Sequence, residues 1–501
     1  MQVPYAFMEI DGKWTDITAH TGDVCALAGF EIEWGADTAL SQPEPSVLNI
    51  TLIDHDGRLA GRSLSLLGAR IMIYLSAPPT WDDITELGTW VDNDDVTIAN
   101  LHTKYRPLDA SQPDPLTPCM FVGRVSSGGT VTPYRDGWKI ELSASSQLLD
   151  WKRLQSQGPT SGDAKYKGLH WVGTPAQRLE EMNSRARTAG APTANIGDLA
   201  YPPSCAPYAG SDNVSQYDLL HRLFAHSHLL PMWYETPRWT RPTIDPLDLT
   251  TPCLITADTD GTMVASRNGT TGICLDSGDV IVGESLSIPE PVTQVKITTR
   301  KTTVDGDGVL GVDDASVIYQ STGLPDNLTQ QQNSLTCESD AVTDDQSRGA
   351  WGQGTYTPTT TQRDQVSAWI TALDTRLTPE NITVNGLDID PAIRPELYRC
   401  TPPPPLTFAD NRFHTLAGSD GRPSFSGPWQ AIGGIITFEW RGERPVLRHE
   451  MNLIPMPVDE TNQLAWDDLD GWTASWHQVG FSWAEMGIIS TITKTKQQEE
   501  S

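Results

Sequence analysis

The chain has 501 residues with 38% hydrophobic and 20% charged side chains, which excludes intrinsic disorder and, at about 150 residues per domain, implies roughly three or four folded units. Its 41 Gly and 37 Pro imply many turns and exclude a protein built of long helical bundles. Acids outnumber bases 64 to 35, and a formal charge of -29 excludes the clustered Lys and Arg that phosphate contacts require.

Residues 1–155 read mostly as strand. Phe30-Glu31-Ile32-Glu33-Trp34 alternates apolar and polar, residues 47–53 do so again, and residues 70–75 form an apolar run of strand length. Residues 120–125 and 138–144 look like paired strands around a polar loop. Residues 156–278 read as an α+β unit. Pro175 opens a helix with a Leu179 and Met182 face, and Leu219, Leu220, Leu223 and Phe224 predict a second over 216–229. Between them, the Pro, Gly and Ser-rich stretch 188–212 reads as a surface loop.

From 279 to 455 the pattern returns to strands. Asp279-Val280-Ile281-Val282, residues 294–299 and residues 316–319 are the first three, with an Asp-Gly turn at 305–308. A helix is expected over 365–377, leading into Ile382-Thr383-Val384-Asn385-Gly386-Leu387. A stiff connector follows at Cys400-Thr401-Pro402-Pro403-Pro404-Pro405, and 434–438 with 446–453 resembles the Gly-Ile strand hairpin near the end of a known family's second barrel. No solenoid-length repeat is visible, but two barrel-like regions flanking an α+β region hint at a distant duplication. Residues 456–501 form a Trp-rich end.

The start, Met1-Gln2-Val3-Pro4-Tyr5, carries neither a basic nor a strongly apolar segment, so no secretory signal is expected. No run of ~18 apolar residues suggests a membrane helix. Seven cysteines without a close pair point to free thiols in a reducing compartment, not to a disulfide framework or a zinc site.

The motif order of the first third is specific. Trp14-Thr15-Asp16-Ile17-Thr18 precedes the alternating strand Leu48-Asn49-Ile50-Thr51-Leu52, which runs into Asp54-His55-Asp56-Gly57-Arg58. This order resembles the N-terminal signature of minor tail proteins from long-tailed phages of actinobacteria, where a Trp-x-Asp-Val/Ile-Thr opening precedes a strand ending in an Asn-x-Asp-Gly-Arg loop. A second match is Phe121-Val122-Gly123-Arg124-Val125, placed where phage hub proteins carry a Phe-x-Gly-x-Val/Ile strand that closes a first barrel. The chain departs from the family at Pro45-Ser46-Val47, where Pro-Gly-Thr is usual, and at Asp54, where Asn is commoner.

The resemblance implies a mainly β protein with α+β: two tube-type β-barrel domains, 1–155 and 279–455, around the 156–278 unit. It implies a homotrimeric baseplate hub in the virion tail tip, surrounding the DNA exit channel. Its partners would be a distal-tail ring protein, further minor tail or receptor-binding proteins and the tape-measure protein. Phage DNA would pass without specific binding and no membrane insertion is expected. An acidic wall suits such a passage, although many soluble proteins are acidic for solubility alone. Two other readings are a ring-forming distal-tail or peripheral minor tail protein with glycan binding, and a tail-associated cell-wall hydrolase.

Candidate chemistry is sparse. Asp54 and Asp56 beside Gly57 offer carboxylates to a hard cation, but a strand-ending turn accounts for them equally. Asp305, Asp307, Asp313 and Asp314 are denser, again without EF-hand spacing, and read as a hairpin turn. His221, His226 and His228 fall at intervals of five and two, so they do not share a helix face and form no zinc motif. There is no Gly-x-Ser-x-Gly elbow, no Gly-x-x-x-x-Gly-Lys loop and no dinucleotide fingerprint. With 64 acids a chance carboxylate pair is expected, so none is assigned to hydrolysis. No enzyme activity, cofactor or metal is therefore expected. Trp466, Trp472, Trp476 and Trp483, interleaved with acids, are read as an interface with a neighbouring subunit in preference to a sugar platform.

Overall fold

The computed structural model describes residues 4–18, 25–38, 40–75, 119–146, 148–160, 162–191, 193, 204–209, 213–224, 234–237, 250–253, 273–276, 280–282, 286–287, 292–320, 333–342, 354–355, 370, 378–379, 382–386, 389, 397–398, 406–409, 429–442 and 444–455. The protein is mainly β, and thirteen of its strands form one sheet. Seven come from the N-terminal segment: β1 (Tyr5–Ile10), β2 (Lys13–Asp16), β3 (Ala26–Gly35), β4 (Glu44–Asp54), β5 (Arg70–Tyr74), β6 (Cys119–Tyr134) and β7 (Gly137–Ser146). Six come from later: β8 (Ile273–Asp276), β9 (Val280–Val282), β13 (Ile382–Asn385), β14 (Leu406–Ala409), β15 (Trp429–Arg441) and β16 (Arg444–Pro455). Between them a smaller sheet holds β10 (Gln294–Val304), β11 (Leu310–Gln320) and β12 (Ser334–Glu338).

The order across the large sheet is β9-β13-β16-β15-β3-β4-β7-β6-β5-β1-β2, with β14 against the start of β15 and β8 parallel to β14. The segments 1–155 and 279–455 thus meet in a continuous ladder, β15 against β3, with Phe438 opposite Phe30 and Ile436 opposite Ile32. At its N-terminal end the sheet curls on itself. Ile17 donates to Ala6 O at 2.9 Å and its own carbonyl accepts from Leu27 N at 2.8 Å, linking β1 to β3.

Period-two patterning gives this sheet two unlike faces, because directly opposed residues on neighbouring strands share a face. One row across seven strands reads Val384, His449, Ile436, Ile32, Leu48, Ala144, Val125, every member buried. The next row reads Asn385, Arg448, Thr437, Glu31, Asn49, Ser143, Ser127, without an apolar member and nowhere buried. Burial of one large aliphatic or aromatic side chain contributes about 1.5–3 kcal/mol, so a one-residue slip of any strand is costly.

The predicted strands at 30–34, 47–53, 70–75, 120–125 and 138–144 overlap β3 to β7, and those at 279–282, 294–299, 316–319, 382–387, 434–438 and 446–453, as far as they are described, overlap β9, β10, β11, β13, β15 and β16. The expected polar loop between β6 and β7 is instead a two-residue turn, Arg135-Asp136, because β6 runs 16 residues and meets β7 at Tyr134 opposite Gly137. The stretch 188–212 is not wholly loop. Ser204–Cys205 pairs with Ala341–Val342 and Tyr208–Ala209 with Leu169–His170, pairings too short to leave a periodic signal.

Among the described residues, three helices follow the first seven strands: α1 (Leu148–Arg153), α2 (Pro175–Thr188) and α3 (Gln216–Phe224). Helix α2 starts where the sequence places it. Thr174 Oγ1 accepts from Gln177 N at 3.2 Å, Gln177 Oε1 accepts from Thr174 N at 2.9 Å, and Pro175 takes the first turn. Leu148, Trp151, Trp171, Leu179, Met182, Leu219, Leu220 and Leu223 make a second core, separate from that of the large sheet. The predicted helix over 365–377 falls outside the described residues except for Ile370, as does the connector at 400–405.

Candidate functional site

The family-like motif is built around one buried carboxylate. Asp54, fully buried at the end of β4, accepts from Leu59 N and Ala60 N at 2.9 Å and from Arg58 N at 3.2 Å. Ala60 opens the 3-10 turn Ala60–Leu66 and Arg58 and Leu59 lead into it, so Asp54 satisfies backbone N–H groups at its entry, as an N-cap Asp does for a helix. Gly57 sits at φ 69, the left-handed region, and a Cβ there would lie 3.3 Å from Trp138 Nε1. Asp56 and Arg58 form an exposed ion pair at 3.2 Å. The oxygens of Asp54 are therefore engaged by backbone donors. No group of three or more His, Cys, Asp or Glu stands together as a metal site among the described residues.

The other motif residues also serve the fold. Asp16 Oδ1 accepts from Thr18 N at 2.8 Å, and Thr18 Oγ1 accepts from Ala6 N at 3.1 Å, fastening the segment after β2 to β1. Trp14 lies opposite Glu9 in the β1–β2 ladder. Phe121 is fully buried, and Gly123 is required beside it, since a Cβ would stand 2.4 Å from Ser145 O and 2.6 Å from the Phe121 ring. Asp305 Oδ1 accepts from Val309 N at 2.8 Å and Asp307 N at 3.0 Å, closing the β10–β11 hairpin, while Asp314 pairs with Arg300. His221 is held by burial to about 4, opposed by Asp218 and Asp340. His226, His228, Trp466, Trp472, Trp476 and Trp483 lie outside the described residues.

What the structure brings together is a surface. The open face of the large sheet carries Glu31, Glu33, Glu439 and Glu450 around the joint of the two segments, with Glu141, Lys139, Ser143, Ser145 and Asn49 on the N-terminal side. Arg448 and Arg441 pair with Glu439, and Lys139 with Glu141. Glu31, Glu33 and Glu450 form no ion pair among the described residues.

Two internal ties were not foreseeable from spacing. Trp34 Nε1 donates to His449 Nε2 at 3.0 Å across the joint, and the ring of Tyr398 lies 5.4 Å from that of His449. Complete burial holds His449 down to about 3, so it is the neutral acceptor that the indole requires. The second tie is Arg178 of α2, which donates to Asp340 Oδ2 at 2.7 Å and to the carbonyls of Ala206 and Trp171, with both charges buried. It joins the helical unit to the strand end after β12.

No family model matches the chain, and no curated protein matches it. Solved structures do. A tail protein from Neisseria meningitidis MC58 is similar at 9% identity and TM-score 0.41, covering 89% of this chain and 96% of that one. The 43 kDa tail protein of prophage MuSo2 from Shewanella oneidensis gives 10% identity and TM-score 0.40 over 91% and 99%. The prophage tail protein gp18 from Listeria monocytogenes EGD-e gives 9% and 0.39 over 89% and 94%. At these values the likenesses carry no argument about function.

Proposed function

We propose that the chain is a structural protein of a phage tail, a baseplate hub at the tail tip, and not an enzyme. The observation that carries this reading is a repeat in the large sheet. The order β9-β13-β16-β15 is followed directly by β3-β4-β7-β6, and each set of four is antiparallel throughout and ends in a long hairpin, β15–β16 or β6–β7. The motif order of the first third supports the same reading independently.

A chain with two equivalent four-strand units side by side suits a trimer that presents six units around an axis. Such a ring would adapt a sixfold tube to threefold tip structures. The units would be tube domains over 1–155 and 279–455, with 156–278 outside them apart from β8, which joins the large sheet, and 456–501 facing neighbouring tail proteins. A distal-tail ring protein, further minor tail proteins and the tape-measure protein are the partners of this reading. The polar face, rich in carboxylates near the joint, would line the channel, where like charge keeps passing DNA from sticking.

Light scattering on a sizing column, followed by negative-stain imaging, tests this. A trimer with a central hole is expected. A hexamer would move the protein to the distal-tail ring, and a compact monomer that also fails to join purified tail proteins would overturn the reading.

A further inference from the structure

The two halves of the chain are tied together twice. The first tie is the β15–β3 ladder, where Phe438 opposes Phe30 with ring centroids 5.6 Å apart and Ile436 opposes Ile32, all four side chains buried. The second runs through the helical unit and the small sheet. The helical unit follows β7 in the chain and is fastened to the first half at the start of β4, where Lys152 pairs with Glu44 and the Tyr217 hydroxyl donates to the carbonyl of Pro43 at 3.1 Å. The small sheet lies in the chain between β9 and β13 of the second half. Its Val295, Ile297, Val317 and Tyr319 belong to the core of the large sheet, not to that of the helices.

What joins the helical unit to the small sheet is a short strap after β12, residues 339–342. Ser339 N donates to Thr298 O of β10, Asp340 N to Arg222 O of α3, and Ala206 N to Asp340 O, each at 2.8 Å. Ala341–Val342 pairs with Ser204–Cys205. The side-chain contacts of the strap are ionic. Arg178 holds Asp340 at the buried end, Arg222 pairs with Glu338 and Arg300 with Asp314 toward solvent, and Arg300 also stands 3.8 Å from Asp340 and 4.0 Å from Glu338. Among the described residues, a small apolar cluster accompanies them, Val312 of β11 against Tyr166, Leu169 and Val172.

Opening the two ties has opposite consequences for hydration. Parting β15 from β3 would bring Phe30, Ile32, Ile436 and Phe438 into water, which the hydrophobic effect opposes. Parting the strap from the helices would return Arg178 and Asp340 to water, and the hydration regained there offsets much of the attraction lost. We propose that the strap 339–342 is a releasable clamp, opening as a local unit so that the small sheet parts from the helical unit while the β15–β3 ladder stays closed. Arg178, Arg222 and Arg300 set how often it opens. The clamp lies within one chain, so it stands whether or not the chain is a hub.

Hydrogen–deuterium exchange of the full-length protein, read by mass spectrometry on peptic fragments, tests this. In the unsubstituted chain the strap amides, Ala206 and 339–342, are expected to exchange about tenfold faster or more than the ladder amides at 30–35 and 433–438. Arg178→Met should speed the strap further, by roughly a hundredfold, and leave the ladder unchanged, because it strands a buried carboxylate at the strap alone. Glu338→Gln, at the exposed end of the network, should act in the same direction by a smaller factor, and serves if R178M does not fold. Strap and ladder exchanging together in the unsubstituted chain would mean one cooperative body and overturn the clamp. So would strap exchange that neither variant changes, or an acceleration that spreads equally to the ladder.

Discussion

In the N-terminal half of the large sheet, β3 and β4 run 10 and 11 residues, whereas their counterparts in the C-terminal half, β9 and β13, run 3 and 4. Both halves end in a long hairpin, of 16- and 10-residue strands in the first and 13- and 12-residue strands in the second, and the C-terminal half adds a buried ring cluster in which Tyr398 and Trp34 lie 5.4 and 5.6 Å from His449. The N-terminal half fastens its loop with a buried carboxylate, Asp54, and the C-terminal half accommodates a buried imidazole. The same strand order is therefore reached with different sensitivities: the first half depends on ladder length and turn geometry, the second on packing and on the joint that borrows β3.

The joint is the place to break that comparison hardest. A Cβ on Gly433 would meet Ala36 O at 2.4 Å and Ala36 N at 2.6 Å, all backbone, so Gly433→Val must push β15 off β3. The expected cost exceeds about 4 kcal/mol, read as loss of the cooperative thermal transition, with the C-terminal half cleaved first in limited proteolysis. Arg178→Met strands Asp340 in the second core. Buried partners left unpaired typically cost about 3–5 kcal/mol, and Arg300, 3.8 Å from Asp340, should hold the loss to the lower end. Urea denaturation would show it, and R178M/D340L should recover part of the loss.

Acid should single out the C-terminal half. His449 has its pKa lowered from 6.5 to about 3 by burial, so below about 6.5 the unfolded chain binds a proton that the folded chain resists. The stability present above that pH is lost progressively as pH falls toward 3, by about 3 kcal/mol at pH 4 from this group. His449→Leu should be less stable at neutral pH, because the Trp34 donor loses its acceptor, yet flatter in a melting-temperature series against pH. An unchanged acid slope would remove His449 from the account. The smallest effect is expected at the N-terminal turn. Gly57→Val places a β-branched residue at φ 69 against Trp138, costing about 1–2 kcal/mol, seen as a lower melting temperature with assembly retained if the turn is only a local device.

Much of this was legible in order but not in space. Alternation located β3, β4 and β7, Pro175 marked the start of α2 while its Thr174–Gln177 cap went unread, and Asp-x-Asp-Gly-Arg marked the turn at Asp54. Period two states which residues share a face and says nothing about which strand lies alongside. Trp34 and His449 are 415 residues apart, Arg178 and Asp340 are 162, and no local signal links either pair. A hint of duplication was readable only as a rhythm of elements, because equivalent positions such as Phe30 and Val280 or Leu142 and His449 share little side-chain chemistry. Gly123 was readable as a motif letter, but its reason, the closeness of Ser145 O, required the fold.

The pairing of β15 with β3 also has a consequence for how the chain is made. Strand β3 emerges from the ribosome about 400 residues before its partner, Phe30 of β3 lying opposite Phe438 of β15. For most of that time the outer edge of β3 stands without its mate, an invitation to wrong pairing in a crowded cell. Closing so long a loop late makes folding slow compared with proteins of local topology. A chaperone, or rapid capture by a neighbouring copy, would benefit this protein most in that interval.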